Sequence, residues 1–475
     1  MHFREILTAS MAMAAGVAVG LVSTQAAAQP TAGFAMTSYV LVGEGGERVA
    51  RVITPQSTCP TVWIDGRAMP MSRRAPAGTL ARRTTISAAA ETKPSVFDGL
   101  VCEATIPGSV KTASVAGRNL PLPPAVVRRI VVIGDTGCRI KTLDNARQAC
   151  SDPKAYPFAQ VAASAARWKP DLVIHVGDFL YRENACPESS PGCAGSPWGY
   201  GSDAWRADFF TPGDPLFTVA ALALARGNHE SCLRAGQGWW RYLDPHEYLT
   251  GRDCNDPAYD TVGDFTDPYA VPLGDKTQLI VFDSAAAPGK PLAEGDIRTA
   301  HYREAYAKMA TLAAGVPHSI LVNHHPVLGF AAGPGAGGSV TLYPGNGGLQ
   351  SVFGAVDPRY LPAGIDLSLA GHIHVWEAVS FTSDHPAQII AGFSGTLEDI
   401  VPLPATLAAG ATPATGAVVK ALSSWVDGFG YMTMERRGDD AWDLAVHDAA
   451  GAVVNRCRLR GRDVACDLAQ ASGRP

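Results

Sequence analysis

Six short apolar runs cross the middle of this chain, and each stops on residues that can carry a proton or bind a cation. Residues 129–133 lead into Gly134-Asp135, 171–176 into Gly177-Asp178, and 218–224 into Arg226-Gly227-Asn228-His229. Further on, 279–282 end at Asp283, 319–322 at Asn323-His324-His325, and 367–370 at Gly371-His372. Short apolar runs of this kind read as buried strands, and segments suited to helices, such as 158–168 and 298–314, lie between them. Strands alternating with helices predict an α/β core. Ligands of such sheets collect beyond the carboxyl ends of the strands, where all these polar residues fall.

The flanks have a different texture. From 29 to 124, short alternating runs (38–42, 61–64, 109–115) and an Arg/Ala/Pro-rich stretch predict a small β-rich accessory domain, closed by Pro121, Pro123 and Pro124. The α/β domain is expected over 125–425, and runs at 431–435, 441–448 and 453–459 predict antiparallel strands over 426–475 that complete it. At the start, Arg4, an apolar run of small residues from 7 to 22, and Ala26-Ala27-Ala28 mark 1–28 as a signal peptide cleaved after Ala28. A membrane anchor is the alternative, but Thr8, Ser10 and interspersed glycines dilute the run, and a span takes about 20 strongly apolar residues. The mature chain is expected in the periplasm or outside the cell, free of the membrane.

Export gives the 10 cysteines a meaning. All follow Ala28, their number is even and none are spaced C-x-x-C, which favours disulfides over a zinc ribbon or a thioredoxin-type motif. Neighbours along the chain offer the pairs 59–102, 138–150, 186–193, 232–254 and 457–466. Lys and Arg number 39 against 44 Asp and Glu, a net charge of −5. That balance speaks against nucleic-acid binding, and a hydrophobic content of 47% speaks against disorder. Nothing in the sequence marks an oligomeric state.

Taken singly, a Gly-Asp after a strand is a turn; the order of the motifs carries the information. Gly134-Asp135-Thr136-Gly137, Gly177-Asp178-Phe179-Leu180-Tyr181, Gly227-Asn228-His229-Glu230, Asn323-His324-His325-Pro326 and Gly371-His372-Ile373-His374 follow one another. In this succession the chain resembles the calcineurin-like metallophosphoesterases and, within them, the purple acid phosphatase branch. The superfamily usually opens with Asp-x-His; here Gly137 stands in the histidine's place and Tyr181 lies three residues past Asp178, the two features of that branch. The resemblance covers about 129–374. It implies a four-layer αββα sandwich of two mixed sheets flanked by helices, and hydrolysis of a small phosphorylated substrate.

The resemblance also implies two metal ions bridged by Asp178. One would take Asp135, Asp178, Tyr181 and His374, the other Asp178, Asn228, His324 and His372. A tyrosinate ligand suits Fe(III), with divalent Fe, Zn or Mn as its partner. Metal-bound water is then the expected nucleophile, and His229 the proton donor to the leaving group, oriented by Glu230. In the family pattern Pro326 selects His324 as the ligand, with His325 open as an alternative ligand or substrate contact.

Arg226, Arg139 and Arg234 flank the motifs and suit phosphate oxygens, or serve as loop charges. His175 reads as a hydrogen-bonded core histidine, Asp283 as structural, and Trp239-Trp240 as core. The Gly-rich run 333–348 is expected as a mobile loop over the site. Two other functions stay open: a phosphodiesterase or nucleotide-directed esterase on the same scaffold, and a non-catalytic secreted metal-binding protein. The presence of both Asp178 and His229 argues against the last.

Overall fold

The apolar runs become the parallel strands of two sheets. The structure, a computed structural model, describes residues 34–468 apart from 275, 399–400, 405–406 and 408–409. The signal peptide expected over 1–28 lies outside the described residues. In the first sheet, Arg129–Ile133, Leu172–His175 and Ala221–Leu224 pair in parallel. In the second, Thr277–Val281, His318–Val322, Ile365–Ala370 and Ala387–Ala391 do the same. Antiparallel strands Tyr269–Gly274, Trp376–Phe381 and Val419–Trp425 complete the second sheet.

Alternate residues of each strand point to opposite faces, and this sorts the layers. Ile130, Val132, Ile174 and Ala223 of the first sheet share one buried cluster with Leu279, Val322, Leu367 and Ile389 of the second. The intervening Ile280 and Leu321 face outward, against Tyr302, Tyr306 and Met309 of helix Arg298–Ala313 and Leu349 and Phe353 of helix Gly347–Val356. On the far side of the first sheet, Phe158 of helix Phe158–Arg167 stacks on Phe209, which packs on Phe217 of helix Thr211–Phe217. The layers are helix, sheet, sheet, helix.

The segment 29–124 is β-rich as expected, but four of its strands belong to the first sheet. Thr37–Val42 pairs in parallel with Ala221–Leu224, Leu41 opposite Leu222; Arg48–Thr54, Leu100–Ile106 and Ser72–Ala75 extend the sheet from there. The prolines at 121–124 therefore mark a change of texture and not a break in the sheet. At the other edge Gly430–Arg436 runs antiparallel to Arg129–Ile133, followed by Ala441–Asp448, Val453–Arg460 and Asp463–Cys466, which makes 11 strands. The Gly-rich run departs from the loop expectation: Phe330–Pro334 and Val340–Pro344 form a hairpin, and Asn346 caps the following helix by accepting from the Leu349 N–H. All five cysteine pairs form between chain neighbours as expected. No helix among the described residues is long and apolar enough to cross a membrane.

Glu377 is the costly residue of this core. It is 0% exposed; one carboxyl oxygen accepts the Phe330 N–H at 3.0 Å, and the other has no hydrogen-bond partner among the described residues. Burial pushes its pKa from 4.5 up to about 8. The folded protein thus keeps a proton that the unfolded chain gives up. Its contribution is fully present below pH 4.5 and is lost as pH rises through about 8. Glu377→Gln is expected to flatten the fall in melting temperature over that window, an effect of a few kcal/mol at about 1.4 kcal/mol per pH unit. Parallel thermal melts of the two proteins across the window check it.

Candidate active site

Asp135, Asp178 and His372 share an uncommon backbone state, with φ of 52°, 61° and 71°. Each stands just past the carboxyl end of a parallel strand: Arg129–Ile133, Leu172–His175 and Ile365–Ala370 respectively. Left-handed backbone at non-glycine residues carries strain and gathers at functional sites. Here it turns three loops toward one point.

The side chains meet there in two groups. The Tyr181 hydroxyl lies 2.9 Å from Asp135 Oδ1, 2.7 Å from Asp178 Oδ2 and 3.0 Å from His374 Nε2. His324 Nε2 lies 3.1 Å from the same Asp178 oxygen and 3.0 Å from Asn228 Oδ1, which is 3.0 Å from His372 Nδ1. One carboxylate oxygen therefore belongs to both groups. The other, Asp178 Oδ1, accepts the His229 backbone N–H at 2.8 Å. Packing allows this only because position 227 is glycine, since a Cβ there would lie 2.1 Å from Asp178 Oδ1. A Cβ at Gly137 would come within 2.7 Å of the Tyr181 nitrogen and 3.0 Å of the Phe179 oxygen. No histidine fits where the superfamily usually has one.

The donor set suits cations. His324 Nδ1 lies 2.9 Å from the Val176 carbonyl oxygen, and His374 Nδ1 lies 2.8 Å from that of Leu397. A carbonyl can only accept, so each ring carries a proton on Nδ1, and Nε2 turns to the site. At His324 burial, which opposes a charged ring, is overcome by the Asp178 carboxylate, which pushes the pKa up to about 9. Burial and the Asp135 and Asp178 charges hold the Tyr181 phenol far above its ordinary range. The Asp135 and Asp178 carboxylates favour a cation beside them, and the oxygen and imidazole donors fit Fe, Mn or Zn. Asp135, Asp178 and His324 offer ligand atoms within 4.8 Å of one another, and so do His324, His325 and His372. His325 is buried, with Nδ1 3.2 Å from Ser284 Oγ and its ring 4.3 Å from that of His372, so both histidines of the pair reach the site.

A family model, that of calcineurin-like phosphoesterases, matches residues 128–376, just over half of the chain. The chain belongs to this family. The phosphoesterase is accordingly a hydrolase of phosphoric esters. Among solved structures it is similar to purple acid phosphatase PPD1 from yellow lupin (Lupinus luteus) seeds, at 15% identity and a TM-score of 0.54, over 88% of this chain and 73% of that one. A structure of PhoD aligns over 92% of each chain at 9% identity and a TM-score of 0.47. GAP50, the anchor in the inner membrane complex of Plasmodium, aligns over 71% of this chain and 90% of its own at 12% identity and a TM-score of 0.36. The lupin likeness shows a shared fold. No curated protein matches the chain by sequence.

Around the Asp178 cluster the phosphoesterase departs from sequence expectation at Glu230 and Arg226, and Glu183 joins it unforeseen. Glu230 does not reach the His229 ring. Its carboxylate accepts the backbone N–H groups of Phe179 at 2.8 Å, Asp178 at 3.1 Å, and Leu180 and Gly227 at 3.2 Å. It fastens the Asp178 loop to the Asn228 loop, because the turn Asn228–Glu230 carries it back under the strand ends. The residue beside His229 is Glu183, whose Oε1 lies 3.0 Å from His229 Nδ1. Sequence reasoning missed it; the tight turn in which the Glu183 N–H donates to the Tyr181 carbonyl at 2.9 Å leaves no sequence signal.

Arg234 pairs with Glu183 and also touches the His229 ring. Burial and the Arg234 guanidinium push His229 down to about 4, against the Asp178 and Glu183 charges. Burial, which would raise Glu183, is outweighed by Arg234 and His229, and that carboxyl stays far below its usual range. Arg226, expected near phosphate, is 1% exposed and donates to the Glu230 and Gly263 carbonyls at 2.8 and 2.7 Å, beside Asp283. Its donors are committed to bracing loops. Arg139 pairs with Asp144 at 2.8 Å. His175 is the core histidine expected, bonded to Thr136 Oγ1 at 3.0 Å and stacked on Phe179; Trp239 and Trp240 are buried.

Proposed function

We propose that this phosphoesterase is an exported two-metal enzyme of the purple acid phosphatase type, acting on phosphate esters of small molecules. The observation that carries the reading is the single Asp178 oxygen lying between the Tyr181 hydroxyl and His324 Nε2. One ion would be held by Asp135, Asp178, Tyr181 and His374, and the other by Asp178, Asn228, His324 and His372. Two bound ions at such a set lower the pKa of water and neutralise the phosphoryl oxygens.

The chain's own residues supply the rest. His229 stands over the Tyr181 ring with Nε2 3.8 Å from Asp178 Oδ2, at the edge of the ligand set. Glu183 holds the ring through Nδ1, and Nε2, which also lies 2.5 Å from the Arg234 guanidinium, would give a proton to the leaving oxygen once Arg234 swings toward the substrate. Since burial and Arg234 hold His229 at about 4, acidic solution favours the donor form. Tyr181 and the missing side chain at Gly137 support the iron assignment, because a phenolate oxygen is a hard anionic donor that suits a trivalent ion. The five disulfides support export.

Elemental analysis and a visible spectrum of the purified protein test this. Two metal ions per chain, iron among them, are expected, with a tyrosinate-to-iron absorption band that Tyr181→Phe removes. A colourless zinc or manganese protein overturns the iron assignment. Full hydrolysis of 4-nitrophenyl phosphate after complete metal removal overturns the reading itself.

A further inference from the structure

Three exposed apolar side chains gather beside the ligand set. Ile86, Leu233 and Ile297 are 37%, 41% and 55% exposed. They come from distant parts of the sequence, yet the Ile86 N–H donates to the Leu233 carbonyl at 3.3 Å, which ties the N-terminal segment to the loop after Asn228. Together with Phe265 and residues 285–288 they line a cavity of about 500 Å³ whose wall includes Asn228. The hollow thus opens directly onto one of the proposed metal ligands, and Phe265 is braced on the ring of His301, 4.0 Å away.

The charges on its wall are already matched. Arg298 binds Asp296 at 2.9 and 2.6 Å, Arg234 pairs with Glu183, and Asp264 faces Arg226 at 3.5 Å. Among the described residues lining the cavity, each cation already faces a carboxylate, so a second phosphate would meet no uncommitted positive charge. Apolar surface, in contrast, gains from every contact that removes it from water. The volume suits one or two rings.

We propose that this cavity receives the apolar organic group of a phosphomonoester, an aromatic or branched alkyl ester with one charged end, and discriminates against polyphosphates and small polar esters. The proposal rests on the phosphoesterase reading of the ligand set and adds the substrate class. It is tested with the holoenzyme on 2-naphthylmethyl phosphate, glycerol 1-phosphate and ATP, the first two having alkoxide leaving groups of similar reactivity. Binding of 2-naphthylmethanol, which carries no phosphate, is followed in parallel by saturation-transfer NMR. Ile86→Asn and Ile297→Asn, combined, make the wall polar without adding charge, at exposed positions outside the ligand set; a melting curve verifies the fold.

The wild type is expected to prefer the naphthylmethyl ester by about ten-fold in kcat/KM, the scale of a few apolar contacts in a pocket. The double variant should lose that preference through KM, leave glycerol 1-phosphate within about two-fold, and abolish the naphthylmethanol signal. Equal hydrolysis of ATP, or an equal effect of the variant on both monoesters, overturns the proposal. Failure of all three esters, with naphthylmethanol binding intact and variant-sensitive, overturns the phosphoesterase reading and keeps the apolar ligand class.

Discussion

Asp178→Asn is expected to lower kcat for 4-nitrophenyl phosphate by roughly a thousand-fold or more, about 4 kcal/mol of barrier, in a protein that remains folded. The fold survives because asparagine tolerates the left-handed backbone at this position, φ 61°, and its amide oxygen can still accept the His229 N–H now bound by Asp178 Oδ1. What it cannot reproduce is the second oxygen. That atom lies 2.7 Å from the Tyr181 hydroxyl and 3.1 Å from His324 Nε2, and an uncharged amide nitrogen has no lone pair to offer two cations. Metal content, melting temperature and kcat are measured on one preparation. Activity within ten-fold of wild type in a natively melting variant would sink the bridging role.

Glu230→Gln is expected to be nearly as damaging by a different route. The wild-type carboxylate accepts four backbone N–H groups, from Asp178, Phe179, Leu180 and Gly227. Glutamine presents one acceptor oxygen and, against the other two N–H groups, a donor. Each buried donor left unmatched costs about 1–3 kcal/mol, so a loss of several kcal/mol in stability is expected. Because these N–H groups belong to the loop that aims Asp178, metal affinity should also fall, by about 10–100-fold. Denaturant unfolding and metal titration read the two effects separately. A variant of unchanged metal affinity whose only defect is a shifted pH profile would return Glu230 to the His229-orienting role.

The α/β core was legible because buried parallel strands are written as short apolar runs, and the convergent polar residues because each stands just past such a run. Asp135, Asp178, Asn228, His324 and His372 all converge as their positions suggested. The sheet's extent was not legible. Alternation at 38–42 identifies a strand, but nothing local says that its neighbour is Ala221–Leu224. Glu183 was invisible for a similar reason: its role is created by Arg234 and His229, some 50 residues away. Glu230 was misread because adjacency in sequence to His229 says nothing about which way a tight turn sends the next side chain.

The position of Thr37–Val42 sets an order of events for a chain that emerges amino end first. Its hairpin with Arg48–Thr54 is local and can form early. Its other edge must wait for Leu222, about 180 residues later, and until then it presents an apolar, unpaired strand open to association with other chains. The disulfides follow the opposite rule, the widest joining residues only 43 apart. Cross-linking can therefore keep pace with emergence while sheet closure lags, so the half-made chain is already cross-linked while one edge of its first strand is still open.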